Sequence, residues 1–345
     1  MVTLIHLLLK HLEGKGSHAR LLYVDFSSAF NTIQPHILVS RLLEQFKLSN
    51  NLVGWILDFL TERTQWVSFM KHEQNESLCK SGSPQGCVLS PLLFILYTNM
   101  CQSHLENRVV LKYADDTVIV SLLQNNENSH GPIINDFVEW CEESHLHLNI
   151  LKTKYMVIDF RKNVDMHEVM CIKGETVECV QSYKYLGTII DSKLSFEANC
   201  ETVCKKGHQR LFFLRKLCKF QIEKTLLSMF YRAFIESVLS FSLVSWYGNL
   251  TLKSRNSINQ IVKCSSRLIG EPLLNPASLY TRQVQCMGIS ILSDQLHPLY
   301  YEFQCLPSNR RFRVLRCTTK RYKNSFVPVV INFINNIKME KIVLL

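Results

Sequence analysis

Val109-Val110-Leu111-Lys112-Tyr113-Ala114-Asp115-Asp116-Thr117-Val118-Ile119-Val120 is the stretch whose reading decides the fold. Two apolar, largely β-branched runs flank a short polar segment, the pattern of two strands joined by a tight turn. Such a turn presents Asp115 and Asp116 at its tip. Adjacent carboxylates repel and raise each other's pKa unless a cation lies between them, and hard oxygen ligands favour Mg²⁺. Taken alone, such a pair is a weak signal, since most are ordinary solvated turn residues.

Working outward, Leu21 to Phe26 is a short apolar run that reads as a buried strand. Asp25 at its end is an unusual residue for such a place and needs a partner. It is either a helix N-cap or, together with Asp115, a ligand to divalent ions that drive an in-line phosphoryl displacement. Helical periodicity marks residues 1–20 up to Gly14 and Gly16, then 36–48, 51–62, 89–105 and 131–146. Strands are expected at Gln65 to Met70, Met156 to Phe160 and Tyr183 to Ile190, the last with Gly187 inside it. Gly82 to Gly86 reads as a loop. The order matches a split β-α-β-β-α-β arrangement in an α+β fold. After residue 197 the pattern turns to long basic helices, which puts a junction near Ser192–Phe196.

The chain has 345 residues, 47% of them hydrophobic, which excludes a disordered protein. Its net charge of +10 (39 Lys and Arg against 29 Asp and Glu) points to a polyanionic partner. The 13 irregularly spaced cysteines do not form a disulfide framework and suit a reducing, intracellular setting, nuclear or cytoplasmic. No apolar run is expected to cross a membrane, because Pro91 breaks one candidate and Arg232 and Glu236 interrupt the other.

Five segments then carry a family resemblance. Val24-Asp25-Phe26-Ser27-Ser28-Ala29-Phe30-Asn31, Ser83-Pro84-Gln85-Gly86 with Leu89-Ser90-Pro91-Leu92-Leu93, and Tyr113-Ala114-Asp115-Asp116 resemble the first three palm motifs of reverse transcriptases. Leu148 to Lys154 and Tyr185-Leu186-Gly187 resemble the fourth and fifth. The set is similar to the non-LTR (LINE-type) retrotransposon polymerases, strongly over residues 1–190 and more loosely beyond. The resemblance implies a right-hand polymerase palm at 1–195, a helical thumb at 196–300 and a basic C-terminal segment at 301–345. It implies RNA-directed DNA synthesis with Mg²⁺, or Mn²⁺ in its place, on an RNA template and DNA primer with dNTPs, and no membrane.

By the same resemblance Asp25 and Asp115 are metal-binding carboxylates, Asp116 supports them, and the Phe26 carbonyl completes a shell. Phe30 blocks a 2′-hydroxyl, unless it is a plain core residue. Gln85 and Gly86 line the nucleotide and template base. Lys152 acts near the pyrophosphate, with Lys154 as the alternative. Tyr185, Leu186 and Gly187 grip the primer, and Lys205, Lys206 and Arg210 track the duplex backbone unless they are only a solvated helix face. Asn31 stands where the family commonly has Asp. The family's fingers and endonuclease have no counterpart here, so the chain is expected to be a fragment of a longer polyprotein. The rival reading is a catalytically silent remnant that at most binds nucleic acid. Two sequence features stay outside this scheme. Cys200, Cys204 and His208 share a helical face without a fourth zinc ligand, and the stretch Arg310 to Lys323 holds no acidic residue.

Overall fold

A computed structural model describes residues 1–65, 68–69, 72–73, 77–101, 108–124, 130–161, 169–308 and 310–336. The chain divides into two compact units, one of residues His18–Gln181 and one of Met1–Ser17 with Ser182–Leu345.

The His18–Gln181 unit is built on a five-stranded sheet. Its strands are β1 (Ser17–Val24), β2 (Arg108–Tyr113), β3 (Asp116–Gln124), β4 (Lys154–Asp159) and β5 (Glu178–Cys179). They lie side by side in the order β5-β4-β1-β3-β2. β1 is central and buried along its whole length, so it shows no polar alternation. It pairs antiparallel with β4, His18 opposite Asp159 through Tyr23 opposite Lys154. The helices are α2 (Pro35–Glu44), α3 (Asn50–Leu60), α4 (Leu89–Tyr97) and α5 (His130–Glu143). Pro35 opens α2 at the first helical position, where a missing N–H costs nothing. Leu38, Leu42, Val53, Ile56, Leu93, Phe94, Ile133 and Phe137 bury one face of each helix with Leu22 and Ile119 of the sheet.

The other unit is mostly helical. It holds α1 (Val2–His11), the hairpin β6 (Ser182–Tyr185) and β7 (Thr188–Asp191), then α6 (Glu197–Lys219), α7 (Leu252–Ile269), α8 (Pro276–Ser293) and α9 (Phe326–Asn336). Thr251 and Asn275 cap α7 and α8 by accepting the N–H groups of Ser254 and Ser278. Val284, Ile291, Phe303, Phe312, Val327, Val330 and Ile331 form its core.

Several expectations need correction. The expected boundary at 195/196 is not where the compact units divide. The β6–β7 hairpin belongs with α6, since Asn199 Oδ1 accepts the Ile189 N–H at 3.0 Å. The first helix also joins the C-terminal unit: His6 and Lys10 meet Glu302 at 3.3 and 2.7 Å, and Glu13 accepts hydrogen bonds from Thr318 and Thr319. Tyr183 to Ile190 is a hairpin rather than one strand. The apolar run from residue 89 is helical only through Tyr97, and residues 102–105 lie outside the described set. Residues 66–67 and 70 of the expected Gln65 to Met70 strand lie outside it too, and Arg63–Gln65 and Ser68–Phe69 are separate strands. Residues 337–345 of the C-terminal segment are likewise outside it.

The membrane expectation also changes. By length and composition Lys224–Asn249 is a helical run able to cross a bilayer. In this structure the run kinks at Ser242, which takes a left-handed φ of 51°. Its stripe of Leu227, Tyr231, Ile235, Leu239, Leu243 and Trp246 is buried within the unit.

Candidate active site

The five-strand unit gathers four of the five motifs. The chain leaving β1 is held by the segment before β4. Phe26 bridges Leu148, the Ser27 N–H donates to the His147 carbonyl at 2.8 Å, and the Asn149 N–H donates to the Asp25 carbonyl at 2.9 Å. Asn149 also organises its own turn. Its carbonyl accepts the Thr153 N–H at 2.9 Å and hydroxyl at 2.8 Å, and its side-chain oxygen accepts the Lys152 N–H at 3.2 Å. The Thr153 hydroxyl lies 3.4 Å from the Asp25 N–H, which donates to it. Asp25 is thus fixed through its backbone, which leaves its carboxylate uncommitted to capping.

The Ser83 to Gly86 loop is tied to the same place. The Gly82 N–H donates to the Ile33 carbonyl at 2.7 Å and the Ser83 N–H to the Phe30 carbonyl at 2.9 Å. The Gln85 amide donates to Asn31 Oδ1 at 3.2 Å. Asn31 therefore has a structural role as an acceptor, and an Asp would serve that contact equally. Gly82 has φ of +79°, and a Cβ there would sit 2.7 Å from Asn31 Cα, so the close approach needs glycine. Gln85 and Gly86 are exposed. Phe30 is half-buried, its ring 5.3 Å from that of Phe94.

At the tip of the β2–β3 hairpin Tyr113 pairs with Asp116, leaving Ala114 and Asp115 as the two turn residues. Partial burial, then the negative charges of Asp115 and Asp25, push the Asp116 carboxyl above the usual carboxylate range. The carboxylates of Asp115 and Asp25 are therefore near enough to Asp116 for their charges to act on it. Their oxygens are the donor type a hard divalent cation takes, and a cation there would relieve the repulsion. Among the described residues no three His, Cys, Asp or Glu side chains are already drawn together around one point, Cys200, Cys204 and His208 included.

The two candidate lysines differ. Lys154 is committed to the Glu178 carboxylate at 2.7 Å and the Leu151 carbonyl at 2.6 Å. Lys152 is exposed, its backbone held by the Asn149 turn. One residue was missed from sequence. Arg63 donates to the Ser81 and Gly82 carbonyls at 3.1 and 2.7 Å and so braces the loop. A single arginine just past a helix end gives no signal of that.

In the helical unit Tyr185 is buried, and the turn Leu186-Gly187 has φ of 45° and 80°. Gly187, Lys206 and Arg210 line one cavity of about 390 Å³ with Asn199 and Phe241. Arg210 also donates to the Phe234 carbonyl. Lys205 is exposed and does not line that cavity.

The family model described as reverse transcriptase (RNA-dependent DNA polymerase) matches residues 2–190, more than half of the chain. The chain belongs to the reverse transcriptase family. Within it, the sequence is 25% identical over 226 residues to the RNA-directed DNA polymerase from mobile element jockey of Drosophila melanogaster, covering 60% of this chain and 24% of that protein. The corresponding jockey polymerase of Drosophila funebris is 22% identical over 295 residues, covering 82% and 31%. The chain spans about a quarter to a third of the length of these relatives. A second family model, described as alkylated DNA repair protein alkB homolog 8, N-terminal, matches only residues 196–237. Among solved structures, telomerase of Candida tropicalis in complex with a telomeric RNA fragment aligns over 87% of this chain and 51% of that one, at 13% identity and a TM-score of 0.40. The apo form of that telomerase gives 13% identity and a TM-score of 0.42, over 87% and 55%.

Proposed function

We propose that residues 18–181 are a polymerase palm and that this chain extends a DNA primer on an RNA template. The strand order β4-β1-β3-β2, with helices after β1 and β3, supports the palm reading, because it is the split β-α-β-β-α-β arrangement. The placement of Asp115 and Asp116 at the hairpin tip, with Asp25 near enough for its charge to act on Asp116, carries the functional reading.

In this reading the primer 3′-oxygen bonds to the α-phosphorus of the dNTP as pyrophosphate leaves. Asp25 and Asp115, supported by Asp116 and the Phe26 carbonyl, would hold divalent ions. Bound there, Mg²⁺ or Mn²⁺ supplies charge neutralisation at the attacking and leaving oxygens. Lys152, unlike Lys154, has no ion pair among the described residues to give up before donating a proton or charge to the leaving phosphate. Phe30, braced on Phe94, would exclude a 2′-hydroxyl by its ring. Gln85 and Gly86, exposed on a loop tied to Asn31, would meet the incoming base pair. Gly187, Lys206 and Arg210 would contact primer and duplex backbone. The 13 free thiols suit a reducing intracellular compartment.

The test is primer extension by the purified chain on an RNA template with Mg²⁺, beside Asp115→Asn. The expected result is extension that the substitution reduces by on the order of 10³-fold. Equal extension by both proteins would remove the assigned role of the carboxylates. Absence of extension by the folded wild-type chain would leave the nucleic-acid-binding remnant as the better reading.

A further inference from the structure

Residues 303–336 contain seven Lys or Arg and no Asp or Glu. The structure builds the first part of this stretch into a braced loop. Cys305 and Phe312 form an antiparallel bridge, the Leu306 N–H donates to the Arg311 carbonyl at 2.9 Å, and the Arg313 N–H donates to the Gln304 carbonyl at 2.7 Å. Asn335 of α9 clamps both backbone groups of Phe312. Its Oδ1 accepts the N–H at 2.8 Å and its Nδ2 donates to the carbonyl at 2.9 Å. The Phe312 ring is buried edge-on to Phe303, with centroids 6.1 Å apart.

On this frame Arg310, Arg311 and Arg313 are exposed, and Arg316, Lys320 and Lys323 continue the exposed series. Buried Tyr322 anchors the far end. The nearby acids are already engaged: Glu13 by Thr318 and Thr319, and Glu302 by His6 and Lys10. The positive charge is therefore presented outward on a backbone that needs little ordering to bind.

We propose that the ridge from Arg310 to Lys323 is a second binding site, for the phosphate backbone of single-stranded RNA. The ligand class follows from composition. Five of the seven cations are Arg, whose planar fork takes phosphate oxygens in pairs. Val314 is the one strongly exposed large apolar side chain between Arg310 and Lys323, too little to insert into a bilayer. Phosphate chemistry is shared by DNA, and the choice of RNA rests on the polymerase reading above.

The experiment measures binding of a fluorescent, unstructured single-stranded RNA by anisotropy across a KCl series. EDTA is present, and primer and nucleotide are absent, so polymerase activity has no part in the readout. Wild-type chain is compared with the Arg310→Ala/Arg311→Ala/Arg313→Ala variant and the corresponding triple Lys variant, each checked by thermal melting. The Ala variant is expected to bind at least about tenfold more weakly and to lose about 2 from the slope of log affinity against log salt. The Lys variant is expected to keep that slope. Unchanged affinity and slope in the Ala variant would overturn the site. Tighter binding of matched single-stranded DNA, or a loss confined to phosphatidylserine vesicles, would overturn RNA as the ligand.

Discussion

The two hairpins β2–β3 and β6–β7 are alike in plan and opposite in use. Each has a two-residue turn with backbone in the left-handed region, at Ala114 in one and at Leu186 and Gly187 in the other. Each second strand is held by a side chain near the start of a following helix. Ser121 of β3 meets His130 Nδ1 at 2.8 Å, while the Ile189 N–H of β7 meets Asn199 at 3.0 Å. The first turn exposes Asp115 to solvent, whereas the second turns Gly187 into close contact with Phe241. The difference teaches that a strained turn can serve either to present charge or to let an aromatic ring pack close, and that the two uses respond to different perturbations.

Asp115→Asn gives the largest separation. In the first hairpin it should remove primer extension, as set out above, while thermal stability holds or rises because a repulsive charge is gone. Parallel loss of folding would make the carboxylate a structural group and erase the contrast.

Acid should separate the hairpins next. Burial, then the charge of Arg20, pushes the His130 imidazole down to about 3, so it stays neutral in the folded chain. Its folded pKa lies below the unfolded value, so the unfolded state takes up the proton first. The stabilisation is complete above about pH 6.5 and is lost as pH falls toward 3. Going from pH 7 to pH 5 should cost the β2–β3 hairpin about 2 kcal/mol. Asn199 does not titrate, so β6–β7 should keep its protection over that range. Amide exchange protection factors at the two pH values read this directly. An equal drop in both hairpins, or the same pH dependence in His130→Gln, would contradict it.

The first hairpin was readable from sequence because its apolar runs and its polar tip obey period and turn chemistry together. The second was not, because Leu186 is apolar and disguises a turn as strand interior. The true start of β1 was hidden by Ser17, His18 and Arg20, polar residues that are buried and so imitate a loop. The placement of the first helix was also illegible, since its partners Glu302 and Thr318 lie some 300 residues away and charge pairing has no local signature. Within the site, Asp25, Asp115 and Asp116 could be named because carboxylates in apolar runs are anomalous. That Lys154 is paired could not be read from sequence, because its partner Glu178 lies 24 residues away.

Gly187→Ala probes the second hairpin. Its Cβ would sit 2.9 Å from Phe241 Cε1 at φ of +80°. Strain and clash together should destabilise by about 1–3 kcal/mol in urea titration. Adding Phe241→Ala removes the clash and leaves only the backbone cost, so the pair should be strongly non-additive. Additive effects would mean that the ring does not press on the turn.

The mirror substitution, Ala114→Gly, should give the smallest effect. Ala114 has φ of 54°, and a left-handed non-glycine residue costs roughly 1–2 kcal/mol. Glycine relieves that cost but gives back about 0.5–1 kcal/mol of chain entropy. The net gain in stability should be within about 1 kcal/mol, the difference of those two terms. Extension should nevertheless slow severalfold, because a freer tip holds Asp115 and Asp116 less closely to Asp25. A chain that gains stability and keeps its full rate would show that the strain at Ala114 has no part in positioning the carboxylates. The two hairpins would then differ only in their side chains.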